Sequence, residues 1–433
     1  MVKILEVLQT RKRSDWQTAR LIAYLLAFVV VFWQSLASRG AFFYSDDFTL
    51  IAAFDRPIQN IFSLDNGHFA PLVKIIYWFL FQIFGISSYT PFLVIAGVCN
   101  LAFAMSFVRF LVWNKFPKSL FILGAPLVLI VPGSAHTIFW VASAINLLVP
   151  ALALHFATLE DSRLSNILTF VYVAIGIGLG GYGLILVISI ISQNIFKRRF
   201  KLTAFAAIPI LVIGMVYRNN AGGNFSYLNL NFLKWIFASS IGLFQTFAPE
   251  TSLDNGVASS LSILAILGFF YVFLNLRAFW KEKLSRNLES LLVGIVFLLS
   301  FVILLWPTRG GVEPFTASRY VVLFDCFFLI IFVSSCFLWM DQLGMNEKKR
   351  NLIQKFLVFA SVLTILLRVP YWHQAPLDVN FQSSLNRTTV SNIICSSPLS
   401  QPLLSTAVAQ DGLTYLPLSL KSSLWTLYRA KNC

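Results

Sequence analysis

Residues 21–32 read LIAYLLAFVVVF, and residues 291–305 read LLVGIVFLLSFVILL. Both stretches are unbroken apolar runs, without the alternation that is typical of a membrane β-strand. A hydrocarbon core about 30 Å thick needs about 20 apolar residues to cross as helix. In lipid the backbone polar groups must be satisfied within the segment itself. These runs therefore predict transmembrane α-helices.

The composition of the whole chain leads to the same fold class. Of its 433 residues, 58% are hydrophobic and only 12% are charged, and the mean hydropathy is +0.76. Soluble domains carry about 25% charged residues, so this chain has too few to cover a water-facing surface. We expect an all-α integral membrane protein that crosses the bilayer many times.

The basic residues predict the orientation of the chain. The net charge of +15 does not indicate a nucleic-acid partner, because these residues stand in short clusters between apolar runs. Such clusters are typical of cytoplasmic loops under the positive-inside rule. They are Arg11–Arg20, Arg109–Lys118, Lys197–Lys201, Arg277–Arg286 and Lys348–Arg350. If every cluster lies in the cytoplasm, an even number of spans must separate each cluster from the next. This condition predicts about eleven spans, with the N-terminus in the cytoplasm.

The apolar runs give the approximate position of each span. The predicted spans are 20–37, 90–111, 119–132, 141–158, 165–179, 183–196, 202–217, 258–276, 290–306, 320–339 and 352–367. Interfacial helices are expected at the outer face, over 71–85 in the first outer loop and over 235–248. Two units follow, a transmembrane domain over 1–367 and a small extracytoplasmic tail over 368–433. A disulfide between Cys395 and Cys433 and a pair of free thiols both remain open.

The first outer loop carries the clearest chemical signal, since residues 39–48 read RGAFFYSDDF. Neighbouring side chains cannot face the same way on a helix or a strand. One carboxylate of Asp46 and Asp47 would then face a cavity as a general base, a role worth about 10²–10⁴ in rate. The other would hold the loop or a metal ion. An ordinary helix N-cap at Ser45 or Asp46 is the alternative.

Ionisable residues inside the apolar spans are few. His155 and Asp325 are the clearest of them. Proton-coupled pumps and transporters need titrating groups at mid-membrane depth. The scarcity of such groups therefore argues against a proton-coupled transporter, and the polar chemistry is expected at the outer rim.

The order of these features resembles the GT-C membrane glycosyltransferases. A basic N-terminus and an apolar helix precede the acidic loop, and residues 66–72 (NGHFAPL) follow it. Further similarities are the Phe84-Gly85 turn before a helix that ends in Arg109, the turn Gly181–Leu184, and Ser318–Tyr320 opening a late helix. The resemblance covers residues 1–340 as architecture, and the Asp46-Asp47 loop is its most specific motif.

The resemblance implies a GT-C-like fold and a hexosyl- or pentosyltransferase of a bacterial plasma (inner) membrane. A polyprenyl-phosphate sugar would be the donor, and an envelope glycan, lipid or protein on the extracytoplasmic side the acceptor. Asp46 or Asp47 would be the catalytic base, with Asp46 preferred. A divalent cation (Mg²⁺ or Mn²⁺) at Asp47 is left open.

Cations at the outer rim are candidates to neutralise the leaving phosphate. The candidate phosphate contacts are Arg319, Lys74 and Arg56, and the candidate site-lining residues are His68, Tyr182 and Glu313. Arg319 is preferred, because a guanidinium pairs with phosphate through two parallel hydrogen bonds. Snorkelling at a helix end is its alternative.

Two other classes of protein remain as alternatives. The first is a polysaccharide polymerase or ligase, although such enzymes place their functional arginines in a large late outer loop. The second is a non-catalytic flippase, transporter or scaffold. An enzyme that uses nucleotide sugars is disfavoured, because the inner loops are too short for a phosphate-binding domain.

Overall fold

The structure is a computed structural model, and the residues that it describes are helical, with no strand among them. It describes residues 2–41, 43, 47, 50, 61–62, 70–85, 88–131, 137, 140–160, 162–220, 286–309 and 318–396. The predicted helices at 235–248 and 258–276 lie outside these residues. The all-α prediction is thus confirmed for the described part of the chain.

The helices are numbered here in chain order. The first six are α1 (Val2–Ala37), α2 (Pro71–Phe84), α3 (Thr90–Trp113), α4 (Lys118–Leu129), α5 (Val141–Ile145) and α6 (Leu148–Ala157). The next are α7 (Arg163–Gly178), α8 (Gly181–Phe196), α9 (Phe200–Asn220), α10 (Arg286–Arg309), α11 (Ser318–Gln342) and α12 (Glu347–Ser396). Each predicted segment within the described residues falls on one of these helices, and 141–158 divides into α5 and α6.

Prolines, glycines and caps set the helix ends. Pro71 begins α2, where its missing N–H costs no hydrogen bond. Gly85 ends α2 at a φ of +64°, in the left-handed region that glycine adopts without strain. Ser162 and Ser165 form a reciprocal capping box at the start of α7. Local chemistry thus explains why sequence patterns located these ends well.

Three helical segments are long and apolar enough to cross a membrane, counting only described residues. They are Asp15–Ala37, Thr90–Trp113 and Glu347–Pro370. Apart from Thr90–Trp113, the apolar helices described between Pro71 and Phe196 are shorter. The 16 residues of α7 or of α8 extend only about 24 Å at about 1.5 Å per residue. The membrane character of the chain is therefore supported by helix length and composition, and the total of eleven spans stays a prediction.

Helix α3 lies at the centre of the N-terminal part. It packs against α1, α4, α5 and α6, and α8 packs in turn against α6, α7, α9 and α10. The approach of α7 to α8 is very close, because a Cβ built on Gly183 would stand 1.7 Å from the Gly176 carbonyl oxygen. Only glycine fits at that point.

Helix α10 is fastened to the basic ends of α3 and α8. Arg286 donates a hydrogen bond from Nη1 to the Trp113 carbonyl at 3.0 Å. The hydroxyl of Ser290 donates a hydrogen bond to Oδ1 of Asn114. Lys197 pairs with Glu289 at 3.9 Å. These links join the N-terminal helices to the C-terminal ones.

Helix α12 extends well past the predicted boundary at residue 368. Its 50 residues span about 75 Å at about 1.5 Å per residue. Arg368 is fully buried and donates from Nη1 to the Leu127 carbonyl at 3.1 Å. The predicted boundary is the point at which the apolar pattern of the sequence ends. The helix continues beyond it, because a change of polarity does not by itself end a helix. Cys395, near the end of α12, is disulfide-bonded, and Cys433 lies outside the described residues.

Candidate functional site

The carboxylate of Asp47 is fully buried between α2 and the start of α3. The hydroxyl of Tyr77 donates a hydrogen bond to Oδ1, and the hydroxyl of Tyr89 donates to Oδ2 at 3.2 Å. Both tyrosines are almost completely buried. We call Asp47, Tyr77 and Tyr89 the tyrosine clamp. It satisfies a group that would be very costly to bury alone.

Tyr77 connects the clamp to a further element. Its hydroxyl oxygen accepts a hydrogen bond from the backbone N–H of Ala142, in the first turn of α5, at 3.0 Å. Asp47, α2 and α5 are therefore joined through one hydroxyl. Tyr89 is the N-cap residue of α3, so the start of that helix also belongs to the clamp.

The two phenols remain protonated at neutral pH. Burial raises the pKa of Tyr77 well above its usual value of 10.0, and the neighbouring Asp47 raises it further. The same two causes, in the same order, raise the pKa of Tyr89. Both hydroxyls therefore serve as donors to Asp47 across the physiological range.

An aromatic shell encloses the clamp. The ring centroid of Phe43 lies 4.9 Å from that of Tyr89 and 5.1 Å from that of Phe92, in edge-on arrangements. Tyr89 stacks on Phe92 at 5.3 Å, and Phe81 contacts Tyr77 at 5.8 Å. The shell excludes water from the Asp47 hydrogen bonds, which strengthens them.

Two other predicted site residues lie on elements that pack together at this end of the molecule. Lys74 is buried on α2, one turn before Tyr77. Leu72 of α2 packs against Gly178, at the end of α7, and Tyr182 follows in the first turn of α8. The α7–α8 turn is thus placed against the helix that carries Lys74.

The remaining predicted site residues are not brought into this cluster by the described part of the chain. The described residues do not include Asp46, Arg56, His68 and Glu313. Arg319 belongs to the first turn of α11, where the structure describes the backbone alone. Their roles stay predictions.

The described polar surroundings of Asp47 include two hydroxyl groups. Both of its carboxylate oxygens accept hydrogen bonds from hydroxyl groups. Each carboxylate oxygen keeps a second lone pair, so a divalent ion at Asp47 stays a prediction.

Sequence patterns missed both tyrosines and the Ala142 amide. Tyr77 and Tyr89 stand 30 and 42 residues from Asp47 along the chain, and the contacts exist only after folding. The one local signal in the sequence is that Lys74 and Tyr77 stand three residues apart, on the same face of the helix predicted over 71–85.

Comparisons with protein-family models, with curated proteins and with solved structures returned no match for this chain.

Proposed function

We propose that the protein is a membrane glycosyltransferase that moves a sugar from a polyprenyl-phosphate donor to an extracytoplasmic acceptor. Support comes from the acidic pair of the first outer loop together with the tyrosine clamp. A loop whose second acid is fixed by two buried hydroxyls has a defined geometry, and catalytic groups need such support.

The proposal divides the roles between the two acids. Asp47 is a positioning residue, because its side chain is committed to Tyr77 and Tyr89. Asp46 is the general base, since side chains at adjacent positions face different ways. The acceptor hydroxyl gives its proton to Asp46 while its oxygen attacks the anomeric carbon. The bond from that carbon to the phosphate oxygen breaks with inversion, and the polyprenyl phosphate leaves as an anion.

Cations are required where the phosphate charge develops. The proposal assigns this role to Arg319, with Lys74 and Arg56 as further contacts. Arg319 stands in the first turn of α11, and a helix N-terminus adds its own attraction for anions. Tyr182, on the turn packed against α2, is assigned to the acceptor side, together with His68 and Glu313.

The direct test compares Asp46→Asn with Asp47→Asn in cells whose envelope glycans are analysed. We expect D46N to abolish the glycan product at unchanged protein level and unchanged thermal stability. D47N should lower both product and thermal stability, because it perturbs the clamp. Normal glycans in D46N, at normal expression, would overturn the assignment and favour a non-catalytic role such as a flippase or scaffold.

A further inference from the structure

Arg109 stands at the opposite end of α3 from the tyrosine clamp. The helix rises about 28 Å from Thr90 to Arg109 at about 1.5 Å per residue, which matches a hydrocarbon core about 30 Å thick. Arg109 begins the basic cluster that ends at Lys118. It therefore lies at the edge of the bilayer that the positive-inside rule assigns to the cytoplasm.

The guanidinium of Arg109 is oriented by a neighbouring loop. Its Nε donates to the Thr158 hydroxyl at 3.0 Å, and that hydroxyl donates to the His155 carbonyl at 2.7 Å. Thr158 is buried, whereas Arg109 is exposed. The buried hydroxyl thus fixes the Nε edge of the guanidinium in a side chain that is otherwise exposed.

His155 and Tyr172 complete the group, which we call the Arg109 cluster (Arg109, His155, Thr158 and Tyr172). The Tyr172 hydroxyl shares a hydrogen bond of 2.6 Å with His155 Nδ1. Three helices, α3, α6 and α7, therefore place polar groups together at one edge of the membrane.

The cluster carries positive charge without a matching acid. No carboxylate among the described residues forms an ion pair with Arg109. The Thr158 bond is the one side-chain hydrogen bond described for Arg109, which has five N–H donors. An oriented cation with open donors is suited to a phosphate group, which a guanidinium binds through two parallel hydrogen bonds.

An apolar stripe runs from the cluster along the membrane-facing side of α3. Val94, Val98 and Met105 are exposed on the same helical face as Arg109, four or seven residues apart. Inorganic phosphate has no apolar part that could contact this stripe, whereas the acyl chains of a phospholipid would cover it. The combination of charge and apolar surface favours a lipid over a soluble anion.

We propose that the Arg109 cluster binds the headgroup phosphate of an anionic phospholipid of the cytoplasmic leaflet, whose acyl chains lie along the α3 stripe. Basic pockets between transmembrane helices on the cytoplasmic side are known to hold anionic headgroups. This site is independent of the proposed transferase chemistry, which lies at the other end of α3.

The test measures phosphatidylglycerol binding to the full chain in neutral detergent, by native mass spectrometry and by the lipid-induced rise in thermal midpoint. Arg109→Gln should weaken binding about tenfold and remove most of the rise. Thr158→Val keeps the charge but loses its orientation, and it should weaken binding several-fold. Arg109→Lys should fall between wild type and R109Q, which keeps the test valid if R109Q is poorly folded.

Arg20→Gln is the matched control. Arg20 is another exposed arginine at the basic end of its span, and no described hydrogen bond orients it. R20Q should bind like wild type. Equal losses in R20Q and R109Q, or full binding by R109Q and T158V, would contradict the site. Stabilisation by inorganic phosphate alone, equal to that by the lipid, would overturn the choice of ligand.

Discussion

At the scale of single residues, the burial of Asp47 determines how its carboxylate is held. A buried carboxylate is stable only with hydrogen-bond donors around it, and Tyr77 and Tyr89 supply them. The clamp therefore separates two acids that the sequence presents as equivalent neighbours. One holds the loop, and the other is the proposed base.

The two clamp tyrosines should contribute unequally to stability. Tyr77→Phe removes the donor to Asp47 and also the acceptor for the Ala142 N–H, whereas Tyr89→Phe removes a single bond of 3.2 Å. We expect losses of about 2 and about 1 kcal/mol in the free energy of unfolding. Thermal unfolding of the two purified variants, followed by circular dichroism, shows which variant loses more stability.

Tyr24→Phe is the control for this comparison, because no hydrogen bond is described for the Tyr24 hydroxyl. It should leave the thermal midpoint unchanged. An equal shift in Y24F and Y77F would mean that the clamp contributes nothing specific.

The clamp also predicts how stability depends on pH. Burial and Asp47 raise the pKa of Tyr77 and Tyr89 above the value of 10.0 that a tyrosine has in the unfolded chain. Their contribution to stability is then complete below pH of about 10 and is lost as the pH rises further. Unfolding scans from pH 7 to 11 should show this decline, and it should be smaller in the double variant Y77F/Y89F. An identical decline in that variant would refute the assignment.

The candidate site could be predicted only in part from the sequence. The Asp46-Asp47 pair is visible because two acids in a strongly apolar chain demand an explanation. The donors to Asp47 are not visible, since 13 tyrosines look alike until folding selects two of them.

At the scale of helices, apolar runs and basic clusters predicted most positions within a few residues. The break between α5 and α6 was missed, because Asn146 and Leu147 form a turn inside a continuous apolar run. The continuation of α12 past residue 368 was missed for the opposite reason. Polarity changes there while the backbone stays helical.

The α7–α8 contact gives a prediction about a single methyl group. A Cβ at Gly183 would overlap the Gly176 carbonyl, which is backbone and cannot rotate away. Gly183→Ala should therefore separate the two helices and lower the free energy of unfolding by about 1–3 kcal/mol or more. The measurement is again thermal unfolding in detergent.

Gly97→Ala provides the comparison, because the new methyl would meet side-chain atoms, Ser35 Oγ at 3.2 Å and Val31 Cγ1 at 3.7 Å. It should shift the midpoint far less than G183A. Similar shifts in both variants would show that the close helix contact is not required.

At the scale of the whole molecule, the proposed reaction requires one fixed orientation of the chain in the membrane. The disulfide at Cys395 bears on this orientation, since disulfides persist outside the reducing cytosol. The end of α12 should then lie on the same side as the acidic loop.

Alkylation followed by mass spectrometry tests the state of Cys395. In protein from intact cells, Cys395 should resist alkylation until a reductant is added. Modification without reductant would place a free thiol there and remove this support for an extracytoplasmic tail.

The central claim is that the acidic loop lies on the extracytoplasmic face, and a cysteine at Ser45 tests it most directly. All five native cysteines are first replaced by alanine, and intact cells are treated with a membrane-impermeant maleimide. We predict that S45C is labelled in intact cells, while Arg163→Cys, at the start of α7, is labelled only after permeabilisation. Labelling of S45C only after permeabilisation would contradict both the topology and the proposed reaction.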